Sequence, residues 1–193
     1  SKQKEVGIKY DAGQVGGTLA FFSTEKPRAF VEGNYFSANG KDRHQGAELS
    51  VFGQVSKGLR LLGGVTWLDA KQKETGSSIT DGKRVIGVPK AQGSIGVEWD
   101  VPGVPGLSLD GRVVASGSSY ANAANTLRVP GWTRMDIGAR YVTEVSGKLL
   151  TLRARIENLA DRNYWSSVGG YPGSGYLVLG APRTFNLSAT LEF

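Results

Sequence analysis

Apolar and polar residues alternate in this chain, and the alternation recurs in nine separate stretches. A period of two with one apolar face is the mark of a β-strand that has one side out of water. Val6, Ile8 and Tyr10 share one face of the first stretch, opposite Lys9 and Asp11. Leu19 and Phe21 follow in the second, Ala47, Leu49 and Val51 in the third, and Leu61, Val65 and Trp67 in the fourth. The fifth and sixth set Ile95, Val97, Trp99 and Leu109, Val113, Ala115 against polar partners. The last three carry Met135, Ile137, Ala139, Tyr141; then Leu150, Leu152, Ala154, Ile156; then Phe185, Leu187, Ala189, Leu191 and Phe193.

The connections alternate too. Short ones lie near Ala12-Gly13-Gln14, Ser56-Lys57-Gly58, 102–106 and 143–147. Long ones cover roughly 25–42, 71–89, 117–129 and 161–180, although 29–36, with Phe30, Tyr35 and Phe36, leaves room for the strands to continue past the membrane. Nothing in a soluble sandwich forces short and long to take turns, whereas a transmembrane barrel has tight periplasmic turns and longer outer loops. A spanning helix is excluded, because no window approaches the roughly 20 unbroken apolar residues it needs. A barrel strand needs only about 9–11 residues and alternates its faces. The predicted fold is therefore all-β, an antiparallel transmembrane barrel. Tyr10, Trp99, Tyr141 and Phe193 at the short-turn ends, with Phe21 and Trp67 at the long-loop ends, make two bands of the kind that sit at headgroup level.

The opposite face carries charge. Arg112, Arg134, Arg140, Arg153, Arg155, Glu98, Asp110, Asp136 and Glu157 all fall opposite the apolar stripe, where in a barrel they line the lumen and in a soluble sheet they simply meet solvent. The formal net charge is +6, but Lys and Arg are scattered, which argues against nucleic acid. Cysteine is absent, which removes disulfides, thiolate metal sites and cysteine nucleophiles. His44 is the sole histidine, so His-based metal clusters are excluded and a catalytic triad would have to centre on it. Asp110 and Asp136 could face each other as paired carboxylates, but Arg112 and Arg134 beside them favour salt-bridged wall residues. Gly169 to Gly175 is followed by no helical pattern, so it is read as a flexible outer loop and no phosphate cradle. No catalytic residue and no metal ligand is assigned.

Strand direction predicts that the chain is part of something larger. Single-chain barrels have an even number of strands with both ends in the periplasm, and nine strands ending inward require an outward-running strand before the first. Ser1 to Glu5 contain no apolar core segment and so form no signal peptide.

Motifs near the C-terminus add a family. The run Arg155-Ile156-Glu157-Asn158-Leu159-Ala160-Asp161-Arg162-Asn163-Tyr164 resembles the N-N-L-x-D-x-x-Y signature of TonB-dependent siderophore receptors, with Glu157 at a position often held by Asn. Gly180-Ala181-Pro182-Arg183-Thr184-Phe185 is similar to the family's G-x-P-R-T/N entry into the final strand. Residues 2–10, Gln45 to Leu49 and Val129-Pro130-Gly131-Trp132-Thr133 resemble further strand openings, in the family's order. Phe185, Leu187, Leu191 and Phe193 look like the terminal signal read by the outer-membrane assembly machinery. The resemblance implies a barrel of about 22 strands around a plug, with residues 1–193 as its C-terminal portion. It implies uptake of a ferric siderophore driven by the TonB complex through an N-terminal plug, with iron present only inside that ligand and no cofactor bound directly. It implies outer-membrane lipid around the barrel and the C-terminus in the periplasm. A fragment of this kind would not transport alone. Another outer-membrane barrel, a porin or a receptor for different cargo, stays open, as does a soluble β-rich binding module. For ligand contact the aromatic residues of the long connections are the candidates: Tyr120, Tyr164, Trp165, Tyr171 and Tyr176.

Overall fold

A computed structural model describes residues 1–32, 34–171 and 174–192, leaving aside the side chains of 30–32, 171 and 174. Phe193 of the terminal signal, and Pro172 and Gly173 of the glycine-rich segment, lie outside the described residues, as does the side chain of Tyr171.

The strands are β1 (Lys2–Asp11), β2 (Val15–Glu32), β3 (Tyr35–Ser56), β4 (Leu59–Lys73), β5 (Ala91–Asp100) and β6 (Leu107–Ser116). After these come β7 (Ser119–Tyr120), β8 (Arg128–Val129), β9 (Trp132–Val145), β10 (Lys148–Glu157), β11 (Trp165–Tyr171), β12 (Ser174–Leu179) and β13 (Thr184–Leu191). Nine of them form one sheet in the order β1-β2-β3-β4-β5-β6-β9-β10-β13, and β7-β8 and β11-β12 are two small separate hairpins. Every neighbouring pair in the large sheet is antiparallel. This is one wall of an up-and-down barrel.

Register carries the alternation across strands. Ile8, Leu19, Leu49 and Val65 stand in one row, and Trp99, Leu109, Ala139, Ala154 and Leu187 in another. A sheet slip by one residue would send each apolar side chain to the charged side, so the pattern pins the pairing. Among the described residues nothing covers the apolar face: Ile8, Met135 and Phe185 are exposed, and Leu187 is 84% exposed. The few buried apolar side chains, Ala20, Ala70, Val129 and Tyr164, do not make a core. Trp67 and Leu59, which faces Trp99 across the register, lie eight residues apart on β4. At about 3.3 Å per residue and a tilt near 40° that separation is roughly 20 Å of height, close to the ~25 Å apolar band of outer-membrane barrels.

Two connections depart from expectation. Most of the segment 25–42 is strand: Lys26 pairs with Asp42, Pro27 with Lys41, and pairing runs up to Glu32 and Tyr35. β2 and β3 thus form a tall hairpin above the apolar band, in which Arg28 Nη1 reaches Asp42 Oδ1 at 2.9 Å. Pro27 is tolerated because β1 stops at the Lys2–Glu25 pair, leaving the far side of β2 unpaired there. On either side of its tip the glycine-rich segment is paired strand, with Gly169 opposite Tyr176 and Gly170 opposite Gly175 in the β11-β12 hairpin.

Two aromatics sit on the polar face beside glycines. A Cβ on Gly46 would lie 2.9 Å from Phe22 Cζ, and one on Gly16 would lie 2.8 Å from Phe52 Cζ. Each ring lies over the bare backbone of its cross-strand partner, Phe22 opposite Gly46 and Phe52 opposite Gly16, filling the space that a side chain would have occupied.

Candidate functional site

The long connections fold onto one another at one end of the wall. The return from β4 lies back along that strand: Val85 N–H donates to Ala70 O at 3.1 Å, Gln72 N–H to Lys83 O at 2.8 Å, and Lys71 bridges Arg84. This covers the stretch of β4 that extends beyond β5, so its backbone groups are satisfied without another strand. Gln72, fully buried, donates from Nε2 to Arg84 O and to Ala123 O, each at 2.7 Å. Asn125 then acts as a strand partner made from a side chain: its Oδ1 accepts Arg84 N–H at 2.7 Å and its Nδ2 donates to Arg84 O at 3.0 Å. Asn125 holds a positive φ of 59°, which Asn tolerates better than most residues. Gly87 N–H donates to Tyr120 O at 2.9 Å. A Cβ on Gly87 would strike Val168 O, so β11 rests directly on this loop.

A second constellation closes the connection between β10 and β13. Asn158 is 1% exposed and Asp136 2%. Asp136 Oδ1 accepts the Asn158 N–H at 2.9 Å, while its Oδ2 pairs with Arg134 Nη2 at 3.0 Å. Asn158 Oδ1 accepts Arg162 N–H at 3.0 Å, and its Nδ2 donates to Arg162 O at 2.9 Å and Ala181 O at 3.0 Å. Asp161 Oδ1 takes the Arg183 N–H at 2.9 Å. Tyr164 is buried with its ring 4.5 Å from that of Trp132, and a Cβ on Gly180 would collide with the Tyr164 ring. The two C-terminal motifs are thus one clasp, which brings the start of β13 back beside β9 and β10.

Aromatics of the long connections divide accordingly. Trp165 and Tyr176 are on the β11-β12 hairpin and open to solvent, Tyr176 at 60%. The backbone of Tyr171 is at the tip of the same hairpin. Tyr120 is half-buried on β7, beside Gly87. Tyr164 stands apart from these four, inside the clasp.

The charged residues named from the sequence share the polar face. One row runs Arg60, Glu98, Asp110, Gly138, Arg155, Asn186, and the next, nearer the short turns, Asp100, Ser108, Arg140, Arg153, Ser188. Arg60 Nη2 meets Glu98 Oε1 at 2.6 Å, and its Nη1 meets Asp100 Oδ2 at 2.9 Å. Arg140 joins Glu98 and Ser108 Oγ at 3.0 and 3.1 Å. Arg155 reaches Asp110 at 3.0 Å across β9, where Gly138 supplies the gap: a Cβ there would collide with the Asp110 carboxylate. Glu157, opposite Thr184, and Arg112, opposite Asp136, complete the set. Arg60, Asp100 and Ser108 belong to this network although sequence reasoning singled out none of them; their position on the polar side of the alternation was the available signal. Among the described residues no group of His, Cys, Asp or Glu is arranged to hold a metal ion.

An exposed apolar face, a salt-bridged polar face and interlocked loops at one end define a β-barrel wall with a structured mouth. The family model described as TonB dependent receptor-like, beta-barrel matches residues 1–159, and the chain belongs to this family of receptors. It is 43% identical over its whole length to the "Ferrichrome receptor FcuA" of Yersinia enterocolitica, of which it covers 26%. It is 29% identical to the "Ferrichrome outer membrane transporter/phage receptor" of Escherichia coli K12, again covering 26% of that protein. The crystal structure of BauA, the ferric preacinetobactin receptor of Acinetobacter baumannii, superposes with a TM-score of 0.88 at 40% identity over 99% of this chain and 29% of BauA. The chain therefore spans about a quarter of the length of the curated relatives it matches.

Proposed function

We propose that residues 1–193 form the C-terminal portion of the barrel of an outer-membrane receptor that takes up ferric siderophores with energy delivered by the TonB complex through a plug elsewhere in the full-length protein. The observation that carries this reading is the 43% identity, without loss of coverage, to a protein named a ferrichrome receptor. Iron is then cargo, arriving inside its chelator, and no metal ligand is assigned to the wall. Charged residues Glu98, Asp110, Arg112, Arg134, Asp136, Arg140, Arg153, Arg155 and Glu157 line the lumen, and the apolar face meets outer-membrane lipid. The chain ends in the periplasm, where Phe185, Leu187, Leu191 and Phe193 serve as the signal for the assembly machinery; Leu187 and Phe185 stand exposed on β13 in keeping with that role.

Tyr120, Trp165, Tyr171 and Tyr176 are the residues we assign to cargo contact, because flat rings pack on chelate rims and recognition concentrates in loops. Tyr164, named with them from the sequence, serves this purpose only if the clasp opens. In the full-length receptor, Trp165→Ala and Tyr171→Ala are expected to weaken ferric-siderophore binding while leaving the barrel folded. Unchanged affinity for every ferric chelate tried would discard the aromatic assignment. Passive solute flux with no requirement for TonB would identify a porin instead.

A further inference from the structure

Above the apolar band the outer face turns basic. Stepping in twos along β3 from Leu49 and Ala47 brings Arg43 and Lys41 to that face, and stepping along β4 from Trp67 brings Lys71 and Lys73. The register sets Arg43 directly opposite Lys71, with Arg84 on the far side of Lys71, and Lys41 opposite Lys73 one repeat higher. Directly opposed side chains start about 5 Å apart, where like charges destabilise a sheet. The acids in reach do not balance these cations. Glu74 pairs with Lys41 at 2.9 Å, and Asp69 is shared by Lys71 at 3.1 Å and Arg84 at 3.8 Å. Glu25 faces Arg43 in the register without an ion pair to it. Arg43 and Lys73 have no side-chain hydrogen bond or ion pair among the described residues.

We infer that Lys41, Arg43, Lys71 and Lys73 form a binding site for a phosphomonoester lipid headgroup of the outer leaflet. The inference rests on the reading above that the apolar face meets lipid. Height favours a headgroup: Lys71 stands four residues beyond the half-exposed Trp67 on the same face of β4. At about 3.3 Å per residue and a tilt near 40°, that is roughly 10 Å above the aromatic level. The polar layer of a bilayer is about 5–8 Å deep on each side. Long cationic side chains reach back toward it, which brings their nitrogens to the level of lipid phosphates. Direction favours lipid over cargo, because the inner positions of the same strands belong to Asp42, His44, Ala70 and Gln72. Below Trp67 the outer face is low, with Gly93 and Ala115 beside Val65 in one row, which leaves room for an acyl chain beneath the headgroup. A phosphomonoester carries a charge of about −1.5 to −2, enough to answer the two cations that lack an acid.

The test uses the full-length receptor in phosphatidylcholine nanodiscs doped with phosphatidic acid, a lipid phosphomonoester. Preference for the doped lipid is read from the fraction of spin-labelled phosphatidic acid immobilised at the protein, cargo affinity from fluorescence quenching, and barrel integrity from heat-modifiable migration. Wild type is compared with Arg43→Gln, Lys73→Gln, the double variant, Arg43→Lys and, as an inner-face control opposite Thr18, Lys9→Gln. Each glutamine variant is expected to lose about fivefold in lipid preference and the double about 25-fold. Arg43→Lys and Lys9→Gln should retain the preference, with cargo affinity and the barrel unchanged throughout. An unchanged preference in the double variant overturns the inference. So does displacement of the lipid by millimolar inorganic phosphate at constant ionic strength, which makes the patch a site for a soluble anion. Loss of cargo affinity at constant lipid preference overturns it too, by giving the patch to the cargo. Failure of wild type to enter nanodiscs as a heat-modifiable barrel would instead refute the receptor reading.

Discussion

Replacing Asn158 by alanine removes three side-chain hydrogen bonds, to Arg162 N–H, Arg162 O and Ala181 O. At about 1 kcal/mol each, these amount to roughly 3 kcal/mol. Asn158 also holds a positive φ of 52°, and an alanine there adds about 1 kcal/mol of backbone strain. Asn158→Gly loses the same bonds without the strain, so the two variants are expected to differ by about 1 kcal/mol. Asn158→Asp keeps an acceptor for Arg162 N–H but turns its second oxygen on two carbonyls, next to the buried Asp136, and should be at least as damaging as alanine. The assay is amide hydrogen exchange in the full-length receptor at Gly180, whose N–H donates to Tyr164 O at 2.7 Å, and at Leu159, whose N–H donates to Met135 O at 2.8 Å. The loss of about 3 kcal/mol in Asn158→Gly speeds exchange through local opening by about two orders of magnitude, and that of about 4 kcal/mol in Asn158→Ala by about three. Exchange within threefold of wild type in Asn158→Ala would refute the view that this side chain holds the clasp.

Gly180→Ala should force the Tyr164 ring out of its place, and Tyr164→Ala should absorb most of that effect, so that the pair is non-additive in the same exchange assay. Leu49 and Ser50 are adjacent but on opposite faces. Leu49→Arg is expected to destabilise the barrel in vesicles by about 2–4 kcal/mol, and Ser50→Arg by less than about 1 kcal/mol; equal costs would contradict the assignment of faces. His44 lies in the tall hairpin above the apolar band, where burial, reinforced by Lys26 and opposed by Asp42, holds its pKa below the usual histidine value. The unfolded chain therefore takes up the proton first as pH falls: His44 favours folding above the ordinary value near 6.5, and that contribution is lost as pH drops through the lower folded pKa. Hydrogen exchange of the hairpin should accelerate over that window, and His44→Gln should abolish the pH dependence.

Much of the wall was legible because its signal is local. Leu150, Leu152, Ala154 and Ile156 declare a strand and its apolar side without reference to any partner. Arg153 and Arg155 declare the other side by the same period. The tall hairpin was harder to read, since Lys26, Pro27 and Arg28 show no apolar alternation; above the band both faces are wet and the pattern has nothing to record. The β11-β12 hairpin was hidden by its glycines, which read as a flexible loop, although Gly169 is where the Tyr176 side chain packs. The motif from Asn158 to Tyr164 was visible as a family mark, but its work depends on Asp136, Trp132 and Gly180, brought to it by the fold from as far as two strands away. Gly138 could not have been singled out, because its value lies in what it lets Asp110 reach.

The account stands on lipid meeting one side of each strand and water the other. Nitroxide labels placed singly at Leu149 through Glu157 in the full-length receptor, reconstituted in bilayers, report this directly through relaxation by oxygen and by a water-soluble nickel chelate. Oxygen accessibility should peak at positions 150, 152, 154 and 156 and nickel accessibility at 151, 153 and 155. Uniform accessibility along β10, or labels at the four apolar positions shielded from both agents as in a protein core, would contradict it.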